Sequence, residues 1–445
     1  MSDKLVITGG TPLYGSVRVC GAKNASFKLM IAALLAQTQS RLLNLPRIHD
    51  VLMTREIIGA LGATVEERGE RMLCINPHQL SKSIIPEKYG VLSRASTLFL
   101  PALLARFGKA VVPEPGGDKI GKRPLERHYA GLTALGATLV EEDGLVKATL
   151  PKGHFIGATY RFNKNSHTGT ETLLMAAVLA RGTTILENAA EEPEVNDLIN
   201  YLNAMGAKIR RRDHRTLEIQ GVKSLQGSTY RVMPDRNETI SYACGAIATK
   251  GDVIVENARQ QDLTAFLAKL DDIGAGYEIG DWGIRFYYRG PLKPTDITTQ
   301  IHPGFMTDWQ PLWATLIAQA EGESIIHETV MQNRFQYVET LQKMGAKIET
   351  LSFIPVKNPD KVYNFNLEDS TENDIRAIRI FGPCSFKGGS FTIHDLRAGA
   401  TTILAALAGH GVTTLSNLEQ LDRGYEKFDE KLRSLGAKIE RVVEY

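Results

Sequence analysis

The chain has 445 residues, 43% of them hydrophobic and 23% charged, with a formal net charge of +2. That length exceeds what one hydrophobic core normally supports and predicts two or more domains, while the near-neutral charge argues against nucleic acid or an anionic membrane as partner. Apolar runs such as 98–105 are too short to span a bilayer, and the N-terminus has no basic, apolar, small-residue leader, which points to a cytoplasmic protein.

The first predicted element is a strand at 5–8, turned at Gly9 and Gly10. A small-residue turn, 21–26, then opens an apolar helix predicted over 27–36. From there one pattern recurs to the end of the chain: an amphipathic helix, a Leu/Met/Ile-Gly-Ala step, then a strand. Its six glycines are Gly62, Gly136, Gly206, Gly274, Gly345 and Gly436, spaced by 68 to 74 residues except for a last interval of 91. A repeat of this kind decides the architecture before any motif does.

The third copy is the most legible. A small-residue helix over 173–180 leads to a strand at 182–189. An amphipathic helix over 197–205 places apolar residues at i, i+3 or i+4 and stops before Gly206, as a left-handed cap requires. Strands at 208–212 and 216–221 follow, the latter alternating as a half-buried strand does. Strands matching 182–189 recur at 251–258, 322–329 and 411–418. The repeated glycines read as caps and turns, because no GxGxxG or Walker pattern follows a strand. The six units divide most simply as three and three, and the strand at 5–8 is free to complete the last unit's sheet, which would make the second domain discontinuous. The long final interval holds a turn-rich, polar stretch, 352–390, read as a surface insertion with some strand content, peripheral to function. Cys20, Cys74, Cys244 and Cys384 show no CxxC or Cys/His spacing and read as small core fillers.

Between the periodic elements lie charges that periodicity does not explain. Lys23 falls in the first turn of a helix, beside free N–H groups that favour an anion, although a solvated lysine looks the same locally. The segment 115–124 combines three glycines with Asp118, Lys119, Lys122 and Arg123. It reads as a mobile lid or as a surface turn. Lys164 to His167, Asp235-Arg236, Asp308, Arg334, Arg397 and Arg423 complete the set. Arginines near helix starts supply the forked donors that carboxylates and phosphates need, but each alone could be half of a structural ion pair.

Taken in order, these segments carry a resemblance. They are GAKNA at 21–25, SRAS at 93–96 before a helix and FG, PGGDKIGKRP at 115–124, KNS at 164–166, ENAAEEPE at 187–194, PDRNET at 234–239, HPGFMTDWQ at 302–310, ETVMQNRF at 328–335, DLRA at 395–398 and DRGYE at 422–426. The chain resembles the UDP-N-acetylglucosamine 1-carboxyvinyltransferases, enolpyruvyl transferases that begin peptidoglycan precursor synthesis. The likeness covers nearly all of the chain except the insertion.

The resemblance implies an α/β (α+β) fold of two domains, an inside-out α/β barrel of six βαβαββ repeats, three per domain, closing over a cleft. Domain I would span 21–232 with a mobile loop near 113–124, and domain II would be 1–20 plus 233–445. The implied reaction moves enolpyruvate from phosphoenolpyruvate to the 3-hydroxyl of UDP-N-acetylglucosamine and releases phosphate. It uses two small-molecule substrates, no metal and no organic cofactor, and involves neither nucleic acid nor membrane.

That chemistry needs an acid, a base and many cations. The two substrates bring roughly four to five negative charges, which must be matched when water is removed. The matching motifs offer Lys23, Arg94, Arg123, Lys164, Arg334, Arg397 and Arg423. By resemblance, Lys23, Arg123 and Arg423 hold the phosphate, Arg334 and Arg397 surround the carboxylate, and Asn24 and Arg94 touch both substrates. The nucleotide sugar would lie against Arg123, Pro124, Leu125, Glu126 and Arg127 and against Lys164, Asn165, Ser166 and His167, with Val330 on the uridine side. Asp308 would be the base and Asp118 the acid, with Lys23 and Arg397 completing the catalytic group.

Three departures stand out. The family usually carries Cys where this chain has Asp118, which keeps an ionisable acid and loses a soft nucleophile. Its K-x-S-V-G segment reads Lys164-Asn-Ser-His-Thr here, and the usual His-Ile before DRGYE is Gln420-Leu421. Within the fold the rival is enolpyruvylshikimate-phosphate synthase, whose first anion loop typically reads Gly-Ser-Lys-Ser with an Arg four residues on; this chain has Gly-Ala-Lys-Asn and no such Arg. A transferase acting on another nucleotide sugar fits the altered 164–168 segment. A non-catalytic nucleotide-sugar-binding paralogue is disfavoured by the retention of both Asp118 and Asp308.

Overall fold

The computed structural model describes residues 3–90, 95–114 and 125–443. Residues 159–220 display one repeat whole: strand Thr159–Arg161, helix His167–Ala177, strand Thr183–Glu187, helix Pro193–Ala204, then strands Lys208–Asp213 and Thr216–Gln220. The first two strands run parallel, with Ile185 opposite Thr159. The fourth pairs antiparallel with the second, Thr184 opposite Ile219, and the third lies outermost. The spatial order is therefore first, second, fourth, third. Among the described residues this order builds six sheets, five of four strands and one of three. In the three-stranded sheet a single parallel bridge, Ile84 to Val111, stands in the place of the first strand.

The chain divides into two compact units, one made of residues 3–20 with 234–443 and the other of the described residues within 21–233. Each holds three of the sheets. Strand Asp3–Thr8 pairs antiparallel with both Val412–Ser416 and Lys438–Val443, so the start of the chain closes the last repeat. Strand Tyr14–Arg18 runs parallel to Asp252–Glu256, although helix Arg236–Ala248 joins that repeat only after the whole other unit has intervened. In the second unit, Thr229–Arg231 plays the same part for Ser40–Leu43.

The sheets surround helices that are buried on almost every side. In the first unit Arg236–Ala248, Gln310–Ile317 and Leu396–Ala408 pack on one another, and every residue of the first two is buried. A helix with no solvent face cannot be amphipathic, which is why Arg236–Ala248 and Leu396–Ala408 are rich in small residues and Gln310–Ile317 is apolar almost throughout, none of them striped. Lys23–Ala32, Leu100–Phe107 and His167–Ala177 are their counterparts in the second unit.

All six repeat glycines have positive φ, between 77° and 105°. At Gly206 an added Cβ would meet nothing within 4 Å, so the requirement there is the backbone conformation alone. Gly206→Ala is expected to cost about 1–2 kcal/mol. Urea unfolding followed by circular dichroism tests this, and an unchanged or raised midpoint contradicts it.

The long interval between the last two glycines comes from residues 352–376, which join strands Lys347–Leu351 and Ala377–Gly382. Ala377–Gly382 is itself a central strand, with Ile378 opposite both Ile326 and Thr350, and Ser390–Thr392 opens the last repeat. The inserted stretch is thus shorter than 352–390. Its apolar alternation is brief and flanked by polar turns, which hides it in the sequence. Nor is the insertion remote from the candidate site. His327 Nε2 meets Tyr363 Oη at 3.0 Å, Asn364 N donates to Thr329 O at 2.7 Å, and Gln332 Nε2 donates to Asp369 O at 2.9 Å, all around the segment that carries Val330 and Arg334.

Candidate active-site residues in the two units

In the unit containing residues 234–443, the segment before helix Gln310–Ile317 carries Asp308. Its Oδ1 lies 2.7 Å from Nη1 of Arg334. Arg334 is only 3% exposed, and its Nη1 also donates to Thr307 Oγ1 at 3.2 Å. Its main chain is fixed from the other side, where Gln310 Nε2 donates to Arg334 O at 2.7 Å. Asp308 keeps about a fifth of its side chain exposed, so the carboxylate is anchored at one edge and reachable from outside.

Arg397 occupies the first turn of helix Leu396–Ala408, whose N-cap Asp395 accepts from the main-chain N–H groups of Arg397 and Ala398. Arg397 is 5% exposed, and its guanidinium donates to Tyr425 Oη at 2.7 Å and lies over the Tyr425 ring at 5.2 Å. Ser241 Oγ sits 2.6 Å from the same hydroxyl and fixes it from behind. Burial alone would depress the Arg397 guanidinium, but Tyr425, Asp308 and Asp235 outweigh it and hold it above the ordinary arginine value. Burial likewise pushes the Tyr425 phenol up, so Tyr425 serves here as a neutral hydroxyl. Asp308, Arg334 and Arg397 therefore form one electrostatic cluster. Arg423 follows the short helix Glu419–Asp422 and is partly exposed.

Glu328 is a participant that the sequence did not single out. Buried to 1%, it accepts from Thr299 Oγ1 and Thr307 Oγ1, each at 2.7 Å, and from the main-chain N–H groups of Val330 and Met331. Burial raises its carboxyl despite these donors and the nearby Arg334. It pins the backbone at Val330 and holds Thr307 beside Arg334. In the sequence it opens the ETVMQNRF segment at a strand end, with no role of its own assigned.

In the unit containing residues 21–233, helix Lys23–Ala32 begins at Lys23 itself, earlier than the apolar run suggests, with no side-chain cap among the described residues. Lys23 Nζ lies 3.0 Å from Asp50 Oδ2, so an incoming anion would compete with an internal carboxylate. Asn24 follows it in the first turn. Leu125 is the N-cap residue of helix Glu126–Ala134, Glu126 is exposed, and Arg127 Nη1 donates to Asn165 O at 3.2 Å. Burial lowers Arg127 below the ordinary arginine value, with Glu126 and Tyr160 opposing.

Lys164 is partly exposed. The Asn165 side chain is buried and donates to Asn188 O at 2.9 Å, and Ser166 Oγ caps helix His167–Ala177 by accepting from Gly169 N at 3.1 Å. His167, at the first helical position, meets Glu171 Oε1 at 3.2 Å. Arg94, Asp118, Arg123 and Pro124 lie outside the described residues. Burial pushes the Cys244 thiol up, as fits a core filler. Among the described residues no group of three or more His, Cys, Asp or Glu side chains is placed to hold a metal ion, and no helix is long and apolar enough to cross a membrane.

Comparison with known proteins follows the same lines. The family model described as EPSP synthase (3-phosphoshikimate 1-carboxyvinyltransferase) matches residues 7–432. The UDP-N-acetylglucosamine 1-carboxyvinyltransferase of Psychrobacter sp. (strain PRwf-1) is 41% identical over 441 residues, 99% of this chain and 96% of that protein. The chain belongs to the UDP-N-acetylglucosamine 1-carboxyvinyltransferase family. A second member, from Idiomarina loihiensis, is 40% identical over 99% of this chain and all of its own length. Among solved structures, the enolpyruvyl transferase NikO from Streptomyces tendae matches with a TM-score of 0.86 at 26% identity over the whole of both chains. EPSP synthase from Acinetobacter baumannii matches with a TM-score of 0.72 at 21% identity, which shows a shared fold. As a member of the UDP-N-acetylglucosamine 1-carboxyvinyltransferase family, this chain is a transferase with the two-unit, six-repeat architecture described above.

Proposed function

We propose that the protein transfers the enolpyruvyl group of phosphoenolpyruvate to the 3-hydroxyl of UDP-N-acetylglucosamine and releases inorganic phosphate. The observation that carries this reading is the cluster of a reachable carboxylate, Asp308, with two buried guanidinium groups, Arg334 and Arg397. Two fixed cations suit a substrate bearing both a carboxylate and a phosphate, and a carboxylate beside them suits proton removal from a hydroxyl.

In the first step the methylene carbon of phosphoenolpyruvate gains a proton, positive charge develops at the adjacent carbon, and the sugar oxygen bonds there while Asp308 takes the hydroxyl proton. The second step breaks the carbon–phosphate oxygen bond, and loss of a methyl proton restores the double bond. By resemblance Asp118 supplies the first proton. Lys23, Arg123 and Arg423 hold the phosphate, Arg334 and Arg397 the carboxylate, Asn24 and Arg94 both substrates, and Arg127, Lys164 and Val330 belong to the acceptor. Asn165 and Ser166 support the acceptor segment through their contacts with Asn188 and Gly169. Fixed guanidinium groups need no reorganisation as charge develops, which is where such a site gains most of its rate.

The test is phosphate release measured with both substrates and with each omitted. Release that requires both phosphoenolpyruvate and UDP-N-acetylglucosamine is expected. Release with a different acceptor and none with this one overturns the acceptor assignment, and none with any nucleotide sugar overturns the transferase reading. The acceptor deserves a panel because His167 places a titratable group in a segment where the family usually has valine.

A further inference from the structure

Lys28 and Glu171 are 2% and 0% exposed, and they face each other across two helices with Nζ and Oε2 2.7 Å apart. Removing both charges from water is costly and rarely improves stability over an apolar pair, so such a pair calls for a use. Its third member is His167, one helical turn before Glu171. Nε2 of His167 lies 3.2 Å from Glu171 Oε1 and 3.5 Å from Lys28 Nζ. The carboxylate can only accept from Nε2–H, and the ammonium can only donate to its lone pair. Nε2 therefore faces a complementary charged group in either protonation state, although Glu171 meets it at ion-pair range and its carboxylate oxygens have no aligned hydrogen-bond donor among the described residues. Nδ1 has no hydrogen-bond partner among the described residues and is not enclosed, on a side chain about one-fifth exposed.

We propose that His167 is a specificity-determining residue for the acceptor, held by the buried Lys28–Glu171 pair so that Nδ1–H donates to the anionic diphosphate of the nucleotide sugar. This rests on the proposed function, which places the acceptor against residues 164–167. Lys28 and Glu171 cancel, so protonation of His167 takes the trio from neutral to a net positive charge. Other groups on the packed elements are Glu192 at the start of the neighbouring helix, Arg127 with its contact to Asn165 O, His128 with its contact to Thr168 Oγ1 at 2.8 Å, and Arg106, bonded to Ala36 O. Burial lowers the His167 imidazole and Lys28 opposes its charge, but Glu171 and Glu192 prevail and its pKa stands above the ordinary histidine value. The imidazolium therefore persists to higher pH than on a free histidine and is lost as pH rises through the raised value. A nucleotide sugar's diphosphate carries no proton in that range, so a dependence there belongs to the protein.

The experiment compares wild type with His167→Asn, measuring KM for UDP-N-acetylglucosamine and kcat between pH 5.5 and 9, alongside an NMR titration of the wild-type imidazole with and without UDP-N-acetylglucosamine. Expected is a wild-type KM that rises about tenfold towards alkaline pH, the cost of one charge-assisted hydrogen bond, while kcat follows the same pH profile in wild type and in His167→Asn. His167→Asn should sit at the high KM throughout, and bound nucleotide sugar should shift the wild-type titration to higher pH. A flat wild-type KM, a variant that keeps the wild-type slope, or a titration that nucleotide sugar leaves in place each overturns the assignment. Absence of phosphate release at every pH overturns the proposed acceptor instead, and the imidazole titration still decides the role of His167.

Discussion

Asp308→Asn is expected to lower kcat by about 10²–10⁴, the usual loss when a positioned general base is removed, while binding of UDP-N-acetylglucosamine measured by calorimetry stays within a few-fold. A base acts on the transition state, so turnover should suffer much more than ground-state affinity. The structure favours asparagine over alanine for this test. Arg334 is buried and leans on Asp308 at 2.7 Å, so alanine would leave a buried cation without its carboxylate and confound catalysis with folding. Asparagine keeps an oxygen for Arg334 and removes only the proton acceptor. If phosphate release by Asp308→Asn stays within about tenfold of wild type, the base is another group and Asp308 serves to position Arg334.

The parts of this molecule that were legible in the sequence are those fixed by local period. The strands read at 208–212 and 216–221 are Lys208–Asp213 and Thr216–Gln220, and the glycine steps do sit in left-handed backbone, because both depend on residues a few positions apart. The strand at 5–8 has no partner in its own neighbourhood and was read as free to complete the last unit's sheet, and its partners do lie there, at 412–416 and 438–443.

What could not be read depends on contacts between distant segments. Ser241 and Tyr425 together fix Arg397, yet 184 positions separate them and neither belongs to a periodic pattern. Glu328 looks like an ordinary strand-end acid until four donors are found around it. Lys28 did leave a signal, since a lysine inside the apolar run 27–36 must either reach water or meet a buried acid. Choosing between those needed Glu171. The hidden strand Ala377–Gly382 shows the converse error, in which polar turns on both sides masked a short alternation.

The second large effect concerns Asp118, where the family resemblance implies a cysteine. The same resemblance implies that the epoxide fosfomycin acts by alkylating that thiol, and a carboxylate is a far weaker nucleophile towards an epoxide than a thiolate. Wild-type protein incubated with fosfomycin is therefore expected to keep its activity and gain no covalent mass, whereas Asp118→Cys should be labelled once and inactivated. Inactivation of the wild type with a mass increase would show that another nucleophile is exposed to the epoxide. The same residue carries a second, linked expectation. An ordinary aspartic acid, with a pKa of about 3.9, is protonated in only about one molecule in a thousand at pH 7, a handicap of about 4 kcal/mol for a group that must deliver a proton. Neighbouring cations such as Lys119, Lys122 and Arg123 would deepen it, whereas the bound phosphate's negative charge works the other way. We expect the phosphate to prevail, so that the acid becomes competent only with both substrates bound. Because an acid is lost as pH rises through its pKa, kcat should fall on an alkaline limb, and Asp118→Cys should move that limb. A limb that stays in place, or full activity in Asp118→Ala, would assign proton delivery to another group.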